Sequence, residues 1–517
     1  MTETFDYIVV GAGSAGCVLA NRLTEDPGVS VLLLEAGGED TADEIHIPAA
    51  FSSLFKTKWD WNYETVPQKH MDDRTSYWPR MKALGGCSSM NAMIYIRGNA
   101  ADYDGWNAPG WDWESVLPYF KRAEHNTRLS GPLHGTDGPL FVEDRRYTHP
   151  LSRAWVDAAV AWGMKPTDDF NGAEQEGAGQ YQVTCHNGRR WSTADAYLRP
   201  AMTRPNLTVR TNALATKIVT SSGRATGVTY LHNGSLVTST VNAEVVLSGG
   251  AVNSPQLLML SGIGPAAHLR ELGIDVVVGL DEVGENLHDH PAAGILWSTK
   301  KTTDIVDYAN PRRLVQWQVT GRGPMASNIG ESGAFIRTQE DLAAPDIQFI
   351  VAPTLFYDNG MHEPTVRGFT SAATMVSPAS RGRLRLRSAN PEWRPAIDPA
   401  YYSETSDMDA MVAGLRVLRE IGQRPALARY LDKPFLPERL DLTDAELAQH
   451  IREQTQTLYH PVGTCAIGTV VDAELKVNGI EGLRVADASV MPAVPRGNTN
   501  APTIMVGEKA ADLVKNA

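Results

Sequence analysis

Residues 7–16 read Tyr7-Ile8-Val9-Val10-Gly11-Ala12-Gly13-Ser14-Ala15-Gly16, and Cys17-Val18-Leu19-Ala20-Asn21-Arg22-Leu23 follows. The first four residues are aromatic or β-branched and stop at a glycine, which predicts a buried strand. The second run predicts a helix. A further apolar run, Val29 to Leu34, predicts another buried strand and ends in Glu35, 19 residues beyond Gly16. The whole unit spans about 30 residues, the size of a βαβ crossover. Within such a unit each glycine has a physical task. Gly11 permits the tight turn, Gly13 lets the backbone approach a pyrophosphate, and Gly16 lets the helix pack closely on the sheet. The helix start near Ser14 offers unpaired N–H groups and a positive dipole end to phosphates. Glu35 can accept hydrogen bonds from a ribose diol, and its charge disfavours the 2′-phosphate of NADP. Gly11, Gly13, Ser14, Gly16 and Glu35 are therefore candidate ligands of a dinucleotide, FAD or NAD.

Composition narrows the rest. The chain has 517 residues, enough for two or three domains and a large core. With 42% hydrophobic and 21% charged residues it has the balance of an ordinary globular protein. Lys and Arg number 47 against 60 Asp and Glu, a net charge of −13, which argues against binding a nucleic-acid backbone. Four scattered cysteines suit neither a disulfide framework nor a thiolate zinc site. The first residues are acidic and run straight into a strand, without the pattern of a signal peptide. No stretch approaches the roughly 18–20 apolar residues of a membrane span. These features lead us to expect a soluble, cytoplasmic protein.

Farther along, Leu207-Thr208-Val209-Arg210 and Ala225 to Tyr230 alternate in hydropathy, and Asn233-Gly234 is a hairpin signal. Residues 207–247 are thus expected to be antiparallel strands and hairpins. Asp346 to Val351 and Gly382 to Arg387 also read as strands, and a helix is expected from Pro502 to Lys515. The fold class is mixed α/β: a Rossmann-like domain assembled from separate parts of the chain, with a strand-rich domain inserted.

Four further blocks decide between the dinucleotides. Residues 81–98, Met-Lys-Ala-Leu-Gly-Gly-Cys-Ser-Ser-Met-Asn-Ala-Met-Ile-Tyr-Ile-Arg-Gly, resemble the first signature of the glucose–methanol–choline (GMC) oxidoreductases, flavoenzymes that oxidise alcohols. Gly250 to Gly264 resembles the second signature, and Val283 to His290 and His460 to Lys509 are also similar. The closest likeness is to the choline dehydrogenase-like branch. This resemblance implies a discontinuous FAD-binding domain (residues 1–150, 192–290 and 440–517). It also implies a substrate-binding domain built on an antiparallel sheet (151–191 and 291–439). Gly85, Gly86, Ser88, Ser89 and Asn91 would face the flavin, and Asp487 would contact FAD. Met90 stands where some relatives carry the histidine that links FAD covalently, so non-covalent FAD is expected.

The same likeness makes His460 the catalytic base. Asn498 would be its partner, orienting the substrate oxygen through a hydrogen bond and lying close to the cofactor; Asn500 is the competing assignment. Imidazole, with an ordinary pKa near 6.5, suits proton abstraction near neutrality. The helix beginning near Pro502 would direct its positive end at the flavin pyrimidine ring. Glu331 falls where choline-oxidising relatives place an acid beside the ammonium, with Tyr459 and Trp61 as aromatic walls; the alternative is a glutamate bonded within the wall. A primary aliphatic or benzylic alcohol is the expected substrate and choline the alternative, with oxygen or a quinone as electron acceptor. His288 and His290 read as part of a structural Asn-Leu-x-Asp-His motif, and no metal site is expected. Cys185 and His186, adjacent in a strand, point to opposite faces and form no nucleophile pair.

Overall fold

The computed structural model of the protein describes residues 3–300, 304–308, 310–361 and 365–517. Strand β1 (Thr4–Val10), helix α1 (Ser14–Leu23) and strand β2 (Val31–Leu34) form the expected crossover, with β1 and β2 parallel. Every residue of β2 is buried, as a strand covered on both faces requires. On the other side of β1 lies the long strand β3 (Ser235–Leu247), also parallel to it.

The two halves of β3 have different partners. Its first half pairs antiparallel with Arg224–His232 through a turn in which Asn233 (φ 51°) and Gly234 (φ 76°) are both left-handed, as a two-residue hairpin demands. Its last three residues pair in parallel with Leu483–Val485, far along the chain. Leu207–Arg210 corrects the expectation of an antiparallel strand. It lies parallel to β2 at the sheet edge, and the antiparallel meander begins only at Ala213. Alternation of side chains marks a strand but carries no sign of its direction.

The second sheet runs in the order 431–436, 291–299, 368–375, 347–352, 332–336, 177–180 and 166–167. Its pairs are antiparallel except the last. Along Ile347–Ala352, Phe349 points to the helix Pro150–Trp162, its ring 6.1 Å from Trp155. By the period of two, Gln348, Ile350 and Ala352 face the opposite side. Two further pairings complete the strands. Gln456–Thr457 pairs with Pro291–Ala292 of this second sheet, and Arg383–Arg385 forms a hairpin of its own with Ala396–Asp398. Between the strands of the first sheet, helix α2 (Gly250–Leu260) follows β3. The chain then returns to α1 in helix α3 (Asn500–Lys515), which begins two residues before Pro502. A Cβ on Gly507 would stand 3.0 Å from the Ala15 Cα, so α1 and α3 meet backbone to backbone. Among the described residues no helix is long and apolar enough to cross a membrane.

A buried charge network fixes the segment after the 81–98 block. Arg97 is paired with Glu124, and His134 holds Glu124 (3.1 Å) through Nδ1 and Asp169 (3.0 Å) through Nε2. Burial opposes charge on His134, but the hydrogen bonds to Asp169 and Glu124 prevail and push its pKa up to about 9. The group therefore stabilises the fold fully below its ordinary pKa of 6.5, and that contribution is lost as pH rises through about 9. His134→Ala is expected to cost about 3 kcal/mol near neutrality by removing the cation that Glu124 and Asp169 share. Thermal unfolding should show a gap between wild type and variant that is largest below pH 6.5 and shrinks as pH rises to about 9.

Candidate active site

A cavity of about 560 Å³ extends from the Gly11–Gly16 loop to His460. Gly11 has φ 101°, and a Cβ there would lie 2.5 Å from the Ser248 carbonyl oxygen; one on Gly16 would collide with the Gly11 carbonyl. Gly13 differs. Its Cβ would meet nothing closer than 3.8 Å, so the space above it is left by the protein rather than filled. Gly86 (φ 51°) lies across this loop, its own Cβ position 2.6 Å from the Gly13 Cα, while the Gly85 N–H donates to Ala12 (2.8 Å). Gly13 starts α1 without a side-chain cap, which leaves the helix N-terminus available. Ser14 lines the cavity and donates to Asn500 Oδ1 (2.7 Å), so α1 and α3 start side by side.

Glu35 is buried with one oxygen accepting from Ala12 N–H (2.9 Å) and the other from Gly37 N–H (2.7 Å). Each oxygen keeps a lone pair for a further donor. Burial raises its carboxyl pKa, against those two backbone bonds. Asp487 also lines the cavity, but its carboxylate is taken up by the chain. Oδ2 accepts from Gly250 N–H (2.8 Å) and Ser254 (2.6 Å), and Oδ1 accepts from Ser489 backbone (2.8 Å) and hydroxyl (2.6 Å).

The turn at 85–91 corrects part of the sequence reading. Gly86, Cys87, Met90 and Asn91 line the cavity, whereas the Ser88 and Ser89 hydroxyls turn inward to the carbonyls of Gly85 (2.6 Å) and Leu84 (2.9 Å). Gly85 likewise lies beneath the surface, where the Ser89 hydroxyl would collide with any Cβ. The 3₁₀ turn over Gly86–Ser89 has about three residues per turn, which sorts these neighbours to opposite sides. Asn91 is oriented by Arg190 (2.8 Å) and Met93 N–H (3.0 Å), both meeting its Oδ1.

At the other end, Asn498 Nδ2 stands 3.3 Å from His460 Nε2. Asn500 is committed to Ser14, so Asn498 is the residue brought to His460. His460 Nδ1 meets Nδ1 of His290 at 2.9 Å, and the His460 backbone N–H donates to Asp289 (2.7 Å). Asp289 in turn accepts from Thr457 (2.5 Å) and from the Tyr401 hydroxyl. Burial, then His290 and Arg80, hold the His460 pKa well below 6.5, and burial lowers His290 to about 3. Burial thus favours the neutral imidazole in both rings. His288 plays another part: Nδ1 bonds the Asn286 carbonyl (2.6 Å) and Nε2 accepts from Val494 N–H (3.0 Å). Among the described residues no cluster could hold a metal ion.

Around this end the wall is apolar. Phe55 lies 5.8 Å from Tyr459, Phe51 lies 6.0 Å from Phe55, and Phe356 completes the group. Tyr459 has φ 72° and its hydroxyl donates to Asn359 (2.8 Å). Trp61 is placed elsewhere. It lines the same cavity but stacks on Tyr63 beneath Lys82 rather than joining this aromatic group. Glu331 is fully buried behind the wall, its carboxylate accepting from Ser327 (2.6 Å) and His149 N–H (2.8 Å). The sequence reading assigned His290 to a structural motif and overlooked Gln348, whose Nε2 donates to Asn498 Oδ1 (3.3 Å). One signal for Gln348 was legible: a single amide inside the apolar run Ile347 to Val351.

The unfilled space over Gly13, the uncapped helix start and the spare acceptor capacity of Glu35 fit a dinucleotide pyrophosphate and ribose. The sequence matches the GMC oxidoreductase family over residues 5–292 and 378–507. It is 44% identical to an alcohol dehydrogenase (acceptor) of Pseudomonas putida, over 99% of this chain and 95% of that one. It is 43% identical to the mitochondrial choline dehydrogenase of Mus musculus, over 99% and 90%. Among solved structures, an Aspergillus oryzae formate oxidase studied for FAD modification is similar with a TM-score of 0.93 at 28% identity, over 99% and 98% of the two chains. This chain therefore belongs to the GMC oxidoreductases, a family of FAD-binding flavoenzymes.

Proposed function

We propose that this protein oxidises a neutral primary alcohol, aliphatic or benzylic, to the aldehyde, with His460 as the base. The observation that carries this reading is the His460 ring presented 3.3 Å from Asn498 on an apolar cavity wall. His460 Nε2 takes the hydroxyl proton, and the Asn498 amide donates to the substrate oxygen as negative charge develops there. Bound FAD supplies the acceptor for the carbinol hydride. Gly11, Gly13, Ser14 and Glu35 would hold its pyrophosphate and ribose, with Gly86 and Asn91 toward the ring. The first sheet forms the cofactor-binding part of the molecule and the second the substrate-binding part. Met90, whose thioether cannot replace a linking histidine, supports non-covalent FAD.

Phe51, Phe55, Phe356 and Tyr459 favour an apolar substrate group, and the engaged Glu331 carboxylate leaves a cationic substrate without that partner. Choline is the second reading, favoured by the choline dehydrogenase among the relatives. Oxygen or a quinone would reoxidise the flavin.

Three outcomes are expected. Anaerobic addition of benzyl alcohol should bleach the bound flavin while choline leaves it coloured; bleaching by choline alone would reverse the choice. Return of colour on admitting air separates an oxygen-using enzyme from one needing another acceptor. His460→Ala should slow flavin reduction by about 10²–10⁴-fold, with the wild-type rate falling only below pH 6.5, where the base begins to protonate. Acid precipitation should release FAD into the supernatant, and yellow colour retained in the pellet would establish a covalent bond.

A further inference from the structure

A hydrogen-bonded chain of fixed polarity runs from a backbone carbonyl to His460. At its origin the Tyr181 hydroxyl meets the Phe349 carbonyl oxygen at 2.6 Å. A carbonyl only accepts, so the single hydroxyl proton is spent there. Gly333 secures this origin, since a Cβ on it would collide with both the Phe349 oxygen and the Tyr181 hydroxyl. The Tyr181 oxygen is left able only to accept. The Gln348 group 3.3 Å away must therefore be its Nε2, and the same Nε2 stands 3.3 Å from Asn498.

Everything downstream follows by donor and acceptor capacity alone. With one Nε2 proton on Tyr181 and the other on Asn498, the facing Asn498 atom must be Oδ1. Its Nδ2 is thereby turned to His460 Nε2 (3.3 Å), which must carry a lone pair. The ring proton of His460 then sits on Nδ1 and is donated to His290 Nδ1 (2.9 Å), whose own proton occupies Nε2. Gln348 is completely buried on the strand Ile347–Ala352, where an amide without a task is costly.

We infer that Gln348 is a positioning residue: through Asn498 it sets which nitrogen of His460 is left unprotonated and so able to take the substrate proton, with Tyr181 as the anchor that prevents the chain from reversing. This rests on His460 being the base. In the opposite polarity Asn498 would present Oδ1, His460 would carry its proton on Nε2, and the substrate hydroxyl would meet an N–H instead of a lone pair.

The test uses the FAD-loaded enzyme, following the limiting rate of anaerobic flavin reduction by benzyl alcohol across pH. Gln348→Glu replaces the donor by an acceptor of the same shape and should turn the Asn498 amide. The expected result is a fall of about 50-fold or more, with little change in the alcohol concentration giving half the limiting rate and an acid limb moved to higher pH. Gln348→Met, which carries no charge and keeps the volume, should lose about 10-fold. Tyr181→Phe, which removes only the anchor, should lose a few-fold. The flavin spectrum reports whether each variant is assembled, and if Gln348→Glu does not bind FAD the other two decide. Wild-type rates in the assembled variants would overturn the inference. So would equal losses in Gln348→Glu and Gln348→Met with an unmoved acid limb, which would mark Gln348 as packing only. His460→Ala measured alongside keeps the two readings apart: a wild-type rate there removes the base itself, whereas its loss with unaffected Gln348 variants removes only the positioning role.

Discussion

One carboxylate with no exposed surface holds the two ends of the chain together. Glu508 of α3 accepts from Arg22 of α1 through both oxygens at 2.9 Å, from Arg122 at 2.7 Å and from the Tyr197 hydroxyl at 2.8 Å. Removing it would leave Arg22 and Arg122 facing each other with only their outer partners, Glu25 and Asp512. The site depends on this clamp. Asn498 and Asn500 precede and open the helix that Glu508 fastens, so the carboxylate fixes both the meeting of Asn498 with His460 and the meeting of Asn500 with Ser14.

Two histidine environments show how neighbours decide charge. His134 and His460 are both buried, and burial disfavours the imidazolium in each. A carboxylate touches each ring nitrogen of His134, and the proton stays. The ring of His460 touches an amide and another imidazole, while nearby Asp289 is occupied with the His460 backbone N–H, Thr457 and Tyr401 rather than with the ring. A carboxylate is thus close enough to hold the loop yet gives the ring no reason to protonate.

Much of this was legible in the residues themselves. The β1–α1–β2 unit could be read because its glycines, apolar runs and terminal Glu35 are consecutive, and the Asn233-Gly234 turn because only a few residues accept its dihedral angles. Orientation within local structure was less legible. The small residues at 85–91 look equivalent in sequence, and only the pitch of the turn separates Gly86 and Asn91 from Ser88 and Ser89. Glu331 and Trp61 have the right chemistry for a substrate wall, yet bonds to Ser327 and His149 in one case and stacking on Tyr63 in the other place them elsewhere. His290 and Gln348 were hidden for a different reason. They lie 170 and 112 residues from His460 in sequence, and local periodicity carries nothing about such a meeting.

The divided pairing of β3 has a bearing on how the polypeptide folds. Val245–Leu247 waits for Leu483–Val485 as its neighbour, and the glycine loop at residues 11–16 waits for Asn500. The dinucleotide pocket is therefore complete only when segments hundreds of residues apart in the sequence have met. Such long-range closure slows folding and prolongs the exposure of unpaired strand.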